Sequence, residues 1–277
     1  MAFPVYLDEA SDNRTLYSPA RVFGSLEFLP NSGNPMPKTV ALFVPCFIDQ
    51  LQPQVAIDTV KVLRRIGYTV AFPEDQTCCG QPAFNTGYWD VAKPCAERFV
   101  RIFANYEAVV CPSGSCTSMV KKHYPEMLEN SPLHQEAVAL GQRVYELSQF
   151  LVRVANVTDV GASFAHSVTY HSSCHATREL GIHEEPIALL KQVRGLELRS
   201  LPRADDCCGF GGTFSTKFAM ISAGMGDTKA GYVEGTKAEY VTSLDTSCLI
   251  HLGGILDHTR RAAKPIHLAS ILAQEAR

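Results

Sequence analysis

The sequence predicts an α/β protein built from two similar halves, each a parallel sheet with helices packed on its faces. Two observations lead to this prediction. From Lys38 onwards, short apolar runs typical of buried strands alternate with amphipathic segments typical of helices, and this order favours a parallel sheet between helical layers. The same order of elements then returns about 130 residues later, which indicates an internal duplication.

The first half is predicted to contain three strands and three helices before a connecting segment. The run TVALFVP suits a strand buried on both faces, and YTVAFP and EAVVCP predict the second and third strands. The first helix is predicted in PQVAIDTVKVLRRIG, whose apolar residues form one stripe and which stops at Gly67. Further helices are predicted from Trp89 to Tyr106, in TSMVKKHYPEML, and in the connecting segment QEAVALGQRVYELSQFLVRVA.

The second half repeats this order. Strands are predicted in SVTYHS, LELRSLP and EYVTSL, and helices in EEPIALLKQVR, from about Thr216 to Gly235, and in LIHLGGILDHTR. We therefore expect two Rossmann-like three-layer domains, at residues 37–155 and 156–277. Residues 1–36 are rich in Pro, Ser, Asn and Gly and lack periodicity, so we expect a flexible N-terminal extension, with Met36 as an alternative native start.

Composition disfavours several classes of function. Lys and Arg number 25 against 28 Asp and Glu in 277 residues, a formal net charge of −3, which leaves no basic surplus for binding nucleic acid. The longest apolar runs have the length of a strand, so no membrane span is expected, and the first residues do not have the pattern of a signal peptide. We therefore expect a cytoplasmic protein whose ten cysteines stay reduced and serve metal binding or redox chemistry.

Eight of the ten cysteines form two matching sets of four. Offsets of 128, 129, 129 and 132 residues relate Cys46 to Cys174, Cys78 to Cys207, Cys79 to Cys208, and Cys116 to Cys248. The flanking letters repeat as well, QTCCGQPAFNTG in one copy and DDCCGFGGTFST in the other. Cys95 and Cys111 lie outside the repeat, and we expect both to be packing residues, with a substitute ligand as the alternative for Cys111.

Each repeated cysteine follows a predicted strand, and this position predicts that the thiols converge. The loops at the carboxyl ends of parallel strands share one edge of the sheet, where ligands bind. Adjacent cysteines can serve one site only if the backbone turns sharply, because neighbouring side chains on a strand point to opposite faces. Gly80 and Gly209, which follow the two Cys-Cys pairs, permit the positive φ that such a turn requires.

Three uses are open to these cysteines. A structural zinc site prefers compact pairs of the C-x2-4-C type, and neither copy has two of them. Disulfides are rare in a reducing compartment, so the second use is as inert buried thiols or, less favourably, as disulfides. An iron–sulfur cluster accepts about four thiolates from distant loops, so the spacing favours cluster ligation.

The doubled pattern of a lone Cys, a Cys-Cys-Gly and a terminal Cys resembles the CCG cysteine-rich domain family. That family includes a cluster-binding component of heterodisulfide reductase and the iron–sulfur subunits of glycolate oxidase and anaerobic glycerol-3-phosphate dehydrogenase. Within it, the segments PCFIDQ, PEDQTCCGQPAFNTGY, CPSGSC and DTSCLIHLGG are most similar to members that take part in lactate utilisation. The similarity runs from about Met36 to the C-terminus.

The resemblance implies a cytoplasmic iron–sulfur redox subunit of a complex that oxidises L-lactate to pyruvate. The other members of that complex would be a ferredoxin-type iron–sulfur subunit and a third protein. This chain would then be a non-flavin electron-transfer subunit, with one [4Fe-4S] cluster held by each set of four cysteines. Two alternatives remain: a heterodisulfide reductase or glycolate oxidase type of subunit acting on another substrate, and a zinc-stabilised interaction module without redox function.

The sequence departs from the fullest family motif, which ends in C-x2-C. The first of those positions is Ser113 in one copy and Asp245 in the other, so each set keeps four cysteines rather than five. For Asp245, a cap on the helix that follows is favoured over an oxygen ligand. Histidines also flank the second set, namely His171, His175 and His251. We expect these histidines to tune cluster sulfurs through hydrogen bonds rather than to act as ligands.

Overall fold

The computed structural model describes residues 38–275, so the predicted extension over residues 1–36 lies outside the described residues. The described chain forms two four-stranded sheets in which all strands are parallel. The strands are β1 (Thr39–Leu42), β2 (Thr69–Ala71), β3 (Val109–Cys111), β4 (Val144–Glu146), β5 (Ser167–Tyr170), β6 (Glu197–Arg199), β7 (Tyr240–Ser243) and β8 (Lys264–His267). Their orders, β2-β1-β3-β4 and β6-β5-β7-β8, are the same, which confirms the duplicated Rossmann-like architecture.

Helices connect the strands and cover the sheets. They are α1 (Cys46–Leu51), α2 (Gln54–Arg65), α3 (Gln81–Phe84), α4 (Trp89–Phe103), α5 (Gly114–Ser118), α6 (Tyr124–Met127), α7 (His134–Gly141), α8 (Leu147–Gln149), α9 (Glu185–Gln192), α10 (Thr213–Lys217), α11 (Ala219–Gly235), α12 (Thr246–His258) and α13 (Leu268–Leu272). Three single π-helical turns, Met119–His123, Phe150–Val154 and His175–Glu179, continue or replace helices. None of the helices among the described residues has the length and apolar character needed to cross a membrane.

The core of the first half is aromatic, and it fixes α4 against the sheet. Phe43, directly after β1, packs edge to face on Phe99 with ring centroids 4.9 Å apart. Phe103 and Tyr124 extend this buried cluster. The Tyr124 hydroxyl donates a hydrogen bond of 2.9 Å to the Cys79 carbonyl, so the core holds the cysteine loop from beneath.

Each half contains a fourth strand that the sequence pattern did not predict. The predicted connecting helix is wrong in its middle, because it divides into α7, β4, α8 and a π-helical turn. Strand β4 lies inside the segment predicted as a helix, and β8 contains Pro265, which is unusual in a strand. Both lie at sheet edges, where a short strand or a proline is tolerated because one side of the strand forms no ladder bonds.

Contacts between the halves close the chain on itself. Helix α13 of the second half packs on α2 of the first. The Arg65 guanidinium at the end of α2 donates hydrogen bonds to the carbonyl oxygens of Val160, Leu272 and Ala273 at 3.1, 2.8 and 2.8 Å. On the side of the cysteines, α5 packs on the π-helical turn of the second half. A Cβ added at Gly114 would lie 2.7 Å from the Ala176 Cβ, so the two backbones approach closely there.

Candidate metal centre

All eight repeated cysteines line one cavity between the halves. Cys46 begins α1 directly beyond β1, Cys78 and Cys79 lie between β2 and α3, and Cys116 lies in α5 beyond β3. Their counterparts take the same positions, Cys174 beyond β5, Cys207 and Cys208 between β6 and α10, and Cys248 in α12. The cavity measures about 100 Å³, several times the roughly 10–15 Å³ that one water requires on the same measure. The predicted convergence therefore brings both sets to a single cleft.

Within each set the thiols are in contact. In the first half, the Sγ atoms of Cys46 and Cys78 lie 3.6 Å apart, and those of Cys79 and Cys116 lie 3.5 Å apart. In the second half the equivalent thiols influence one another's pKa in the same pairs, Cys174 with Cys207 and Cys208 with Cys248. All ten cysteines of the chain are free thiols. The sets therefore have the form of ligand groups and not of disulfides.

The glycines after the Cys-Cys pairs form the predicted turns. Gly80 has φ of +82° and Gly209 has φ of +91°, a region that favours glycine. A Cβ at Gly209 would lie 2.5 Å from the Ser222 carbonyl oxygen, so the site also lacks room for a side chain. The Gly80 and Gly209 N–H groups point at the sulfurs of Cys78 and Cys207, at 3.4 and 3.3 Å. The turn thus provides amide donors for the sulfur ligands.

The protons in each set are shared unequally. Hydrogen bonds, chiefly from Cys46, and the Gly80 N–H lower the pKa of Cys78 to about 3. The same arrangement, led by Cys174, lowers the pKa of Cys207 to about 2. The pKa values of Cys46 and Cys174 are raised, because their thiols donate to these thiolates and are partly buried. Each set therefore stabilises one thiolate, and deprotonation of its remaining thiols would require a bound cation.

The donor set fits an iron–sulfur cluster. Four thiols from three separate segments converge in each half, and backbone N–H groups approach their sulfurs. Both features are those that hold such clusters and tune them. Cys95 and Cys111 do not line the cavity. Cys111 is fully buried at the end of β3, and burial raises its pKa well above the usual value.

Asp245 joins the two halves at the floor of the cleft, and the expectation that it caps its own helix is wrong. It occupies the N-cap position of α12 but makes no side-chain bond to that helix. Its Oδ1 instead accepts hydrogen bonds from the Ser113 Oγ, the Ser115 N–H and the Ser115 Oγ of α5, at 2.9, 3.0 and 2.8 Å. Burial opposes its charge, but polar contacts from Ser173 and Ser115 outweigh it and lower the pKa of Asp245. The carboxylate of one half thus caps the cysteine-bearing helix of the other.

His171 lies directly against the second set of thiols. A ring nitrogen of His171 and the sulfurs of Cys208 and Cys248 all lie within 4.8 Å of one another. Neither ring nitrogen makes a hydrogen bond of normal geometry, although the ring is 1% exposed. Burial and the charge of Lys229 lower its pKa to about 4, an effect that the Ala204 backbone only partly offsets. His175 and His251 are only partly buried.

Lys229 is a functional candidate that carries no recognisable motif. It lies in AGMGDTKAG, which does not have the spacing of a phosphate loop. In the structure its side chain is 1% exposed, and its Nζ donates to the Arg203 and Ala204 carbonyl oxygens of the loop before Cys207. A buried lysine on a helix has no distinctive sequence signal. The cysteine offsets of 128 to 132 residues do not decide which residue of the first half corresponds to it.

Comparison with known proteins identifies the class of this chain. The family model described as CCG, cysteine-rich domain, matches residues 40–121 and 168–253. The two matches coincide with the two cysteine sets. The chain belongs to the CCG cysteine-rich domain family, and it contains two copies of the domain.

Curated relatives place the chain more narrowly, beside lactate utilization protein A. It is 47% identical to that protein of Bacillus pumilus over 234 residues, which cover 84% of this chain and 98% of the relative. The protein of the same name from Geobacillus kaustophilus gives the same identity and coverage. A solved structure, that of a hypothetical protein from Helicobacter pylori, aligns with a TM-score of 0.54 at 12% identity, covering 88% of this chain and 51% of that one. This last likeness concerns the fold alone.

Proposed function

We propose that this protein is an iron–sulfur redox subunit of a cytoplasmic lactate-utilisation system that oxidises L-lactate to pyruvate. Cys46, Cys78, Cys79 and Cys116 would hold one [4Fe-4S] cluster, and Cys174, Cys207, Cys208 and Cys248 would hold the second. The proposed domains, residues 37–155 and 156–277, each contribute one set. A bound cluster supplies one-electron transfer, whereas the conversion of lactate to pyruvate removes two electrons.

The observation that carries this proposal is the placement of two complete thiol sets in one cleft. The chain's own residues hold the ligands in place: the Gly80 and Gly209 turns aim amides at sulfur, and Asp245 fixes the helix that carries Cys116. The curated relatives named lactate utilization protein A support the metabolic setting. The sequence contains no hydride cofactor motif, so the role proposed is electron relay, and partners complete the enzyme.

Exposed apolar side chains at the starts of α11 and α4 support the involvement of partner subunits. Met220, Ile221 and Phe218, at the start of α11, are 90%, 58% and 53% exposed. Tyr88 and Trp89, at the corresponding place in the first half, are 62% and 42% exposed. Clustered apolar exposure of this kind marks interaction surfaces. The partners proposed are a ferredoxin-type iron–sulfur subunit and a third protein of the same system.

The test is anaerobic purification of the full chain, with iron and sulfide assays and EPR spectra of the reduced protein. We expect roughly eight irons per chain, four for each cluster. Cys79→Ser and Cys208→Ser should each remove about half of the iron, and the two losses should affect different EPR signals. Cys95→Ser and Cys111→Ser are the matched controls, because these thiols lie outside the cleft lining. A wild-type protein without iron or sulfide would contradict the proposal.

A zinc-stabilised module without redox function is the second candidate, and sulfur spacing favours it. Tetrahedral zinc with bonds of about 2.3 Å places its sulfur ligands about 3.8 Å apart. The two sulfur pairs of the first half lie at 3.6 and 3.5 Å. Colourless protein that contains zinc, and gives no EPR signal after reduction, would establish this alternative.

A further inference from the structure

The two cysteine sets are alike in their ligands but not in what lies behind them. Phe43 and His171 are equivalent residues, since each directly follows the first strand of its half and stands three positions before a cysteine. Their backbones also make the same bond: the Phe43 N–H donates to Val110 at 2.9 Å, and the His171 N–H donates to Thr242 at 2.8 Å. A buried phenyl ring in one half is thus replaced by a buried imidazole in the other.

A second exchange of the same kind lies on the helix behind each set. A Cβ added to Gly80 would lie nearest to Ala92 and Cys95 of α4. A Cβ added to Gly209 would lie nearest to Ser222 and Met225 of α11, which are the residues 130 positions further along the chain. This correspondence aligns α4 with α11 and sets Phe99 opposite Lys229. The packed pair Phe43 and Phe99 of the first half therefore corresponds to His171 and Lys229 in the second.

The two polar side chains act on the second set of thiols. The imidazole lies within 4.8 Å of the Cys208 and Cys248 sulfurs, and the buried Lys229 ammonium interacts electrostatically with Cys208 and Cys207. The Lys229 ammonium also interacts with the carboxylates of Asp206 and Asp205, of which Asp206 is paired with Arg203 at 2.6 Å. In the first half, the main electrostatic effects on Cys79 come from the neighbouring thiols of Cys116 and Cys78, within an apolar cluster that contains Phe43.

We propose that His171 and Lys229 make the second half's cluster the more readily reduced of the two, which orders electron transfer from the first half to the second. The inference rests on the proposed iron–sulfur function. Reduction adds negative charge to a cluster, so a buried imidazole N–H without another hydrogen-bond partner of normal geometry and a nearby ammonium would both favour the reduced form. Bound clusters would supply the one-electron transfer, and His171 and Lys229 would set its direction through the charge and the N–H that they place near the second set of cysteines. His171 and Lys229 would stabilise this added charge from nearby, and neither would bind iron as a ligand.

The test is an anaerobic potentiometric titration of the full, cluster-loaded chain, followed by EPR, with iron content measured for every variant. We expect two reduction waves in the wild type, and Cys208→Ser should remove the one at higher potential. His171→Phe, which copies the first half, and Lys229→Met should each shift the high-potential wave at least tenfold toward the oxidised form, or 59 mV for one electron. The other wave should not move. His134→Phe is the matched control, because that ring contacts the Pro125 carbonyl away from the cleft.

Several results would overturn the inference. It fails if the two clusters titrate together in the wild type, if Cys208→Ser removes the low-potential wave, or if both substitutions leave a fully loaded second cluster at its original potential. Strong nitrogen hyperfine coupling, typical of an imidazole bound directly to iron, would replace the donor role of His171 with ligation. A wild-type chain that binds no iron would overturn the proposed function, and this inference with it; two clusters with unshifted potentials would overturn the inference alone.

Discussion

Removal of the Asp245 carboxylate should weaken the joint between the two halves. Three donors at the N-terminus of α5, namely the hydroxyl of its N-cap Ser113 and both the N–H and the hydroxyl of Ser115, bond to one oxygen of the Asp245 side chain, which is 2% exposed. Hydrogen bonds to a charged group contribute about 1.5–3 kcal/mol each, but such bonds are not additive, and breaking a buried charged network costs about 3–5 kcal/mol in total. We expect this loss for Asp245→Ala, and about half of it for Asp245→Asn, which keeps an acceptor.

The measurement is denaturant unfolding of the full chain under anaerobic conditions, followed by circular dichroism. Asp257→Asn is the control, since Asp257 is exposed on the same helix and its substitution should change the free energy of unfolding by less than about 0.5 kcal/mol. A double-mutant cycle of Asp245→Asn with Ser115→Ala should give a coupling of about 1 kcal/mol. Strictly additive effects would refute the argument that the carboxylate acts through α5. Because the pKa of Asp245 is lowered in the folded state, its contribution should be lost as the pH falls below its usual value of 3.8.

Three further outcomes are expected. Burial raises the pKa of Glu146 from 4.5 to about 8, so between these pH values the folded state holds a proton that the unfolded state releases. The free energy of unfolding should therefore fall by about 1.4 kcal/mol for each unit that the pH rises from 4.5 towards 8. Glu146→Gln should remove this dependence, and an unchanged pH profile of the variant would contradict the assignment to Glu146. Gly209→Ala should abolish metal loading of the second half, because the added Cβ would lie 2.5 Å from the Ser222 carbonyl oxygen. Gly67→Ala is the control, since Gly67 has a similar φ of +90° but open space around it, and this substitution should cost only about 1–2 kcal/mol of backbone strain. Equal effects of the two substitutions on metal content would exclude the steric explanation. Met220→Glu should weaken association with partner subunits in co-purification at unchanged iron content, whereas undiminished association would remove α11 from the proposed interface.

The sequence was sufficient for the architecture and for the convergence of the thiols. Strand runs such as TVALFVP and the offset of about 130 residues are local signals, and the rule that parallel strands share a carboxyl edge turns them into a site. The edge strands β4 and β8 were missed because β4 lies in a segment predicted as a helix and β8 contains a proline; both form by pairing with a neighbouring strand rather than through their own composition.

The relation between the halves could not be read from the sequence. Each half alone predicts four thiols at one sheet edge, but the packing of α5 on the facing half decides that the two sets share a cleft. The same packing directs the Asp245 carboxylate away from its own helix, which reverses the capping prediction. The exchange of Phe99 for Lys229 lacks any motif, and it becomes visible only when the glycine turns align the two helices.

The cap that Asp245 provides to α5 should make metal binding at the two cysteine sets cooperative. Asp245 stands at the start of the helix that carries Cys248, while the N–H and hydroxyl it binds belong to the residue next to Cys116. Loss of order at either set would release the shared carboxylate and loosen a ligand-bearing helix at the other. By thermodynamic linkage, ligands at both sets stabilise this same arrangement. A partly loaded wild-type preparation should therefore contain more full and more empty molecules than independent filling of the two centres would give.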